Sequence, residues 1–232
     1  TSVANPFLTG ATMAVAGNRD VKFVVYPIAD RPDGRKLTNW IAEIRVPADQ
    51  TWKREDWNRP GKIEDFLPTF EGWRFPWLDI PALIRSAEAV YEFPMVDRDP
   101  LPRWTHGRVT LLGDAAHPLY PIGSNGASQG ILDARTLALK LATIADPVAA
   151  LEAYDAIRRP ATAALLEATR GDGPDLVLDM AEERAPSGFT DIEAVLPLTE
   201  RAEIAAHYKR LAGFEPAMLN ARPSLNPPRR AA

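Results

Sequence analysis

The chain reads as an α+β protein: an antiparallel sheet with short helices comes first, then one strand and a set of longer helices. Three observations carry this reading. Residues 12 to 46 hold three β-rich runs between turn-forming dipeptides, the prolines of "DRDPLPRW" at 97 to 104 interrupt the chain, and helical spacing governs it from about residue 128.

The runs at 12 to 16, 21 to 28 and 37 to 46 are separated by Gly17-Asn18 and by Pro32-Asp33-Gly34, which predicts an antiparallel meander. In the third run Trp40, Ala42, Ile44 and Val46 share one face and should pack inward, while Asn39, Glu43 and Arg45 share the other. Residues 52 to 78 carry four of the six tryptophans, expected to pack short helices onto the sheet. Residues 62 to 66 suggest one such helix; a second starts at Asp79, which can cap the amides ahead, with Pro81 tolerated in the first turn. Residues 90 to 96 look like a strand, and the proline-rich stretch after them marks a boundary. Beyond it, residues 108 to 112 have the composition of a buried strand.

From about Ser128 the residues Ile131, Leu132, Arg135, Ala138, Leu139 and Ala142 cover one side of a helix. Asp146-Pro147 caps the next, expected to run to about residue 168 with a kink at Pro160. Residues 171 to 174 form a loop, a last helix spans 199 to 212 and stops at Gly213, and the tail from 222 to 232 is expected to be mobile. No internal repeat is found. The domain boundaries this implies are 1–98, 99–170 and 171–232.

A length of 232 residues, 46 % hydrophobic and 25 % charged, fits a globular chain. No window approaches the apolar length of a membrane span, and a net charge of −4 with scattered arginines argues against nucleic acid as a partner. The absence of cysteine excludes a thiolate nucleophile or metal site and fits a reducing compartment, so the expected location is the cytoplasm. The three histidines, His106, His117 and His207, have no metal-type spacing, so no metal site is expected and His117 is read as structural or ligand-adjacent.

The chemistry concentrates in "LLGDAAHPLYPIGSNGASQG", residues 111 to 130. A strand ending in Gly113-Asp114 places a carboxylate at a sheet's carboxyl edge, where open α/β folds bind ligands. Gly123, Gly126 and Ser128 then free the backbone to curl into a helix start, whose unpaired N–H groups favour a negative or electron-rich ligand edge. The plainer alternative is that Asp114 caps a turn and the glycines serve its geometry. Asp133 could bond the loop amides or face solvent.

Residues 107 to 142, "GRVTLLGDAAHPLYPIGSNGASQGILDARTLALKLA", resemble the second flavin-binding motif of FAD-dependent aromatic hydroxylases. These are the single-component flavoprotein monooxygenases similar to para-hydroxybenzoate and salicylate hydroxylases. The lead-in "FPMVDRDPLPRWTHGR" is also similar, and residues 7 to 46 resemble the sheet that roofs the family's substrate. Similarity is strong over 7 to 170 and weaker beyond. The resemblance implies an enzyme in which NAD(P)H reduces FAD and O2 supplies one oxygen atom to a small aromatic substrate. It implies that Asp114, next to Gly113, accepts a hydrogen bond from a ribityl or ribose hydroxyl, and that Pro121 borders the isoalloxazine ring as the catalytic-site contact. Gly123 would shape the loop, and Gly126, Ala127 and Ser128 would offer amides to the flavin's pyrimidine oxygen. Many relatives have Asn where Ser128 stands. Tyr26 and Tyr120 are candidates for the substrate pocket.

The family also begins with a strand, a G-x-G-x-x-G turn and an acidic residue about 20 residues on, and none of these occurs here. The fold is therefore expected to be an α+β fragment of a mixed α/β flavoprotein: the antiparallel substrate-domain sheet followed by the last strand and helices of the FAD-binding domain. Such a carboxyl-terminal half would hold half of the FAD site, be inactive alone, and take the missing amino-terminal half as partner; a homodimer is also open. Two other readings stand beside it. One is a non-catalytic, truncated flavoprotein or partner-binding piece, and the other a magnesium-dependent phosphatase using Asp97-Arg98-Asp99.

Overall fold

The computed structural model describes residues 2–3, 12–47, 49, 58–93, 95–171 and 173–226. The chain divides into two compact units, Thr1–Pro94 and Met95–Ala232.

The first unit is built on four antiparallel strands, β1 (Ser2–Val3), β2 (Ala14–Gly17), β3 (Val21–Asp30) and β4 (Lys36–Ile44), in the order β1-β4-β3-β2. The β2–β3 turn follows from Asn18, whose side-chain oxygen accepts from the amides of Asp20 and Val21 at 2.9 and 3.0 Å, and from Gly17 at φ +109°. The register slips between Pro27 and Ala29, where proline offers the ladder no donor. Phe23 and Val25 point from β3 into the core, where Trp40 stacks on Phe23 at 5.7 Å between ring centroids. Ala42 joins them, but Ile44 at the strand's end and Val46 beyond it are exposed rather than inward-packed.

Next come β5 (Arg59–Pro60), α1 (Ile63–Phe70), β6 (Arg74–Phe75), β7 (Leu78–Asp79), α2 (Ile80–Arg85) and β8 (Tyr91–Glu92). Asp79 caps α2 by accepting from the Ala82 amide at 2.8 Å, and Pro81 sits in the first turn. Phe70, Ile80, Leu83 and Ile84 complete the core, with Trp73 meeting the edge of Phe70 at 5.1 Å. Trp73 and Trp77 thus pack against the sheet as expected; Trp52 and Trp57 lie outside the described residues. The strand expected at 90 to 96 reduces to the two residues of β8, paired with β5. Its apolar continuation, Phe93, Met95 and Val96, is exposed because no strand among the described residues lies beside it.

The second unit contains β9 (Thr105–His106), β10 (Val109–Thr110), a 3₁₀ turn at Gly113–Ala115, α3 (Gly126–Thr143), α4 (Pro147–Arg170), a second 3₁₀ turn at Gly173–Asp175, and α5 (Leu176–Arg184), α6 (Ile192–Val195), α7 (Leu198–Leu211) and α8 (Pro216–Ala221). Asp146 caps α4 through the Val148 and Ala149 amides, and the helix runs unbroken past Pro160. α7 ends at Gly213, φ +73°, as expected. α7 is not the last helix, since α8 follows it, and α5 and α6 precede it where no helix is expected; α5 is tied to α7 by a two-bond Arg184–Glu200 pair at 2.6 and 2.8 Å. Of the tail, Asn226 accepts a hydrogen bond from Arg135, and residues 227–232 lie outside the described set.

The buried strand expected at 108 to 112 is a two-residue arm of the β9–β10 hairpin, with Val109 65 % and Leu112 42 % exposed, since the described residues supply no further strand to cover it. The apolar side of α3 is likewise not its packed side. The helix buries Gln129, Asp133 and Thr136 toward α4 and leaves Ile131 62 % and Leu141 48 % exposed. Gln129 and Asp133 win the interior because buried Arg158 on α4 meets both, while Thr136 satisfies its hydroxyl on the Leu132 carbonyl of its own helix.

Candidate functional site

The loop from Leu111 to α3 is fixed from behind by α4. The Tyr154 hydroxyl donates to the Leu111 carbonyl at 3.1 Å, and one oxygen of buried Asp155 accepts from the Trp104 and Thr105 amides at 2.8 and 2.9 Å. Trp104, Ala116 and Tyr154 form the apolar cluster beneath. The chain then turns at Gly113, whose φ of +57° favours glycine, and its carbonyl accepts from the amides of Ala116 and His117, both at 2.9 Å.

Asp133 is fully buried and locks this turn to α3. One of its oxygens accepts from the Gly113 amide at 2.9 Å and from His117 Nε2 at 2.5 Å; the other accepts from Arg158 Nε at 2.7 Å. Burial works against its charge, but the bonds from His117, Arg158 and Gly113 prevail and hold the carboxyl below the ordinary range. Because a carboxylate only accepts, His117 carries its proton on Nε2. Arg158 continues to the Gln129 side chain at 2.7 Å, so the network spans the loop, α3 and α4. Of the two roles open to Asp133, it takes the loop amide, and His117 is held against it through Nε2. Sequence reasoning missed Arg158 and Gln129; the signal available was polar residues recurring at helical spacing on both α3 and α4.

Asp114 sits at the crest of the turn, exposed, and its carboxylate has no hydrogen bond or ion pair among the described residues. The turn abuts α3 closely: a Cβ on Gly130 would lie 3.9 Å from Gly113 Cα. Further on, Pro121 is exposed and Tyr120 half-buried, its hydroxyl pushed up by burial with Asp97 adding to the effect and Arg170 opposing it. Gly123 (φ +77°) and Ser124 (φ +54°) are both left-handed. A Cβ at Gly123 would fall 1.9 Å from the Tyr208 hydroxyl, so contact with α7 requires glycine there.

α3 begins at Gly126, two residues before the expected start. Its first intrahelical bond runs from the Gln129 amide to the Asn125 carbonyl at 3.0 Å. The amides of Gly126, Ala127 and Ser128 therefore have no acceptor among the described residues, and no side chain caps them. A Cβ at Gly113 or Gly126 would meet nothing within 4 Å. Three open donors at the positive end of an 18-residue helix can receive an anionic or electron-rich group, and an unpaired carboxylate can receive hydroxyls.

Tyr26 belongs to the first unit, on the sheet face opposite Phe23 and Val25, where its hydroxyl accepts from Asn39 at 2.8 Å. Asp97 and Asp99 are both paired with Arg170, at 2.6 and 2.9 Å. Among the described residues no cluster of metal-ligand type occurs, and no helix is long and apolar enough to cross a membrane.

The family described as "FAD binding domain" matches residues 86–169. The phenazine 1,6-dicarboxylic acid hydroxylase of Lysobacter antibioticus is 47 % identical over 71 % of this chain and 41 % of its own length. A 3-amino-4-hydroxybenzoate 2-monooxygenase of Streptomyces platensis is 35 % identical over 85 % of the chain and 46 % of its own length. The chain thus spans less than half of these relatives. Among solved structures, a salicylate hydroxylase in complex with substrate shares the fold with a TM-score of 0.57 at 22 % identity, covering 95 % of this chain and 51 % of that one.

Proposed function

We propose, from the premise that the chain belongs to the family of FAD-dependent aromatic hydroxylases, that it is the carboxyl-terminal half of a monooxygenase. The whole enzyme would use NAD(P)H and O2 to hydroxylate an aromatic or heteroaromatic substrate, as the names of its relatives suggest. The observation that carries this is the pairing of an unengaged carboxylate, Asp114, with three open amides on the helix start packed against its turn.

These residues fit FAD. When bound, it would supply the redox chemistry: electrons accepted from NAD(P)H and an oxygen atom from O2 delivered to the ring. Asp114 would accept from a ribityl or ribose hydroxyl. The amides of Gly126, Ala127 and Ser128 would donate to the pyrimidine edge, where the helix terminus favours the negative charge of the reduced ring. Pro121 would border the ring and exclude water there, with Gly113 and Gly123 setting the loop's course. Asp133, His117 and Arg158 would act one step back, holding Gly113 in place. Tyr120 is our candidate for substrate contact in the second unit and Tyr26 in the first. We assign residues 1–98 to the substrate domain, 99–170 to the FAD domain and 171–232 to a helical extension. The exposed apolar residues Val109, Leu112, Ile131 and Leu141 suit a surface that the amino-terminal half covers.

The test is a chimera in which this chain replaces the matching segment of the Lysobacter antibioticus relative. It should purify yellow with stoichiometric FAD, and Asp114→Ala should weaken FAD binding at least about tenfold, the loss of a charge-assisted hydrogen bond, while leaving the melting temperature of the FAD-free protein unchanged. A folded but colourless chimera would overturn the reading. So would NAD(P)H oxidation by this chain alone with FAD and an aromatic effector.

A further inference from the structure

We propose that Tyr208, on α7, is a positioning residue that keeps the amides of Ala127 and Ser128 open by holding the Asn125 side chain away from them. The inference rests on the flavin reading above for its purpose, but its geometry stands without it. Asparagine is among the strongest helix N-caps, and Asn125 occupies the N-cap of α3, yet it makes no cap bond. Its backbone, at φ −101° and ψ −20°, is not in the extended region that capping uses. Its side-chain nitrogen instead donates to the Tyr208 hydroxyl at 2.6 Å, 83 residues away, and to the Gly123 carbonyl at 3.3 Å.

The atom that would cap the helix, Asn125 Oδ1, is buried without a partner, in a residue only 1 % exposed. An acceptor lacking donors and donors lacking an acceptor therefore stand next to each other in the chain, and the fold declines to join them. Leaving a buried oxygen unpaired is costly, so something must enforce it. Tyr208 is equipped to do so. Its hydroxyl also donates to the Ile122 carbonyl at 3.3 Å, its ring fills the space where Gly123 lacks a Cβ, and Leu165 and Ala212 bury it. The carboxyl-terminal helices thereby set the donor array of a loop far from them in sequence.

Hydrogen exchange of the Ala127 and Ser128 amides, measured by NMR on this chain without FAD, reads the device directly. Tyr208→Phe keeps the ring and removes only the hydroxyl; it should slow exchange at one of these amides about fivefold, the worth of a released N-cap. Asn125→Ala, alone or added to Tyr208→Phe, should leave exchange as fast as in the unsubstituted chain, since alanine cannot cap. In the FAD-binding chimera, Tyr208→Phe should raise the Kd for FAD about fivefold, and the double variant should return it to within about twofold. Unchanged exchange in Tyr208→Phe overturns the proposal, as does a double variant as impaired as Tyr208→Phe. A chimera that takes up no FAD defeats the flavin reading alone, because the exchange comparison stands apart from it.

Discussion

Asp133→Asn is the sharpest test of how the loop is held. The carboxylate is fully buried and receives three donors, the Gly113 amide, His117 and Arg158, across its two oxygens. Asparagine matches its shape but keeps one acceptor, so its amide nitrogen must confront a donor on one side or the other. Arg158, with a side chain 9 % exposed, would lose its counter-charge in a dry site. Removing one member of a buried pair of this kind costs about 3–5 kcal/mol. At about 2–4 °C per kcal/mol for a chain of this size, the melting temperature should fall by about 6–20 °C. Thermal and urea unfolding followed by circular dichroism measure this, with Asp114→Asn as the control. That exposed, unpartnered carboxylate should change stability by less than about 0.5 kcal/mol. If Asp133→Asn cost less than about 1 kcal/mol, the claim that this network fixes the Gly113 turn would be refuted.

Two other outcomes follow from the same contacts. Asp133 and Asp155 both resist protonation in the folded chain. In each, burial opposes the charge and is outweighed by donated bonds, for Asp155 from Arg159 and from the Trp104 and Thr105 amides. Both bind protons more weakly folded than unfolded, so their stabilisation is complete above about pH 4 and is lost as pH falls through the lowered folded values. Melting temperature measured from pH 7 down to 3 should therefore drop below about pH 4, less steeply in Asp133→Asn. Gly123→Ala combines a left-handed backbone with a Cβ driven into the Tyr208 hydroxyl, and should destabilise by at least about 2 kcal/mol in urea unfolding. Pairing it with Tyr208→Ala should cost less than the sum of the two single changes.

What the sequence discloses is what is decided locally. The caps at Asp79 and Asp146 are legible because a cap and its amides lie within three residues. The face of β4 is legible over Trp40 and Ala42, where alternation meets the core, and misleads at Ile44 and Val46, where the core has ended. The Gly113-Asp114 turn and the open helix start are legible for the same local reason. The buried face of α3 is not: its polar stripe goes inward only because Arg158, 25 residues from Asp133, lies opposite. Nor is the reason for Gly123, which looks like a turn glycine and is also a socket for a ring 85 positions on. Val109 and Leu112 read as core residues, and their apolar character is real; the described residues simply contain no strand to lay over them.

The fit between Gly123 and Tyr208 carries an evolutionary corollary. Where the hydroxyl of one residue occupies the volume that a methyl on the other would claim, the loop site cannot gain a side chain while the ring remains. Lineages that shrink the aromatic ring gain latitude at the loop, and lineages that keep it must retain a bare backbone there. α7, though outside the segment matched to the FAD binding domain, should thus be inherited in step with it, and natural variation at the two positions should be correlated.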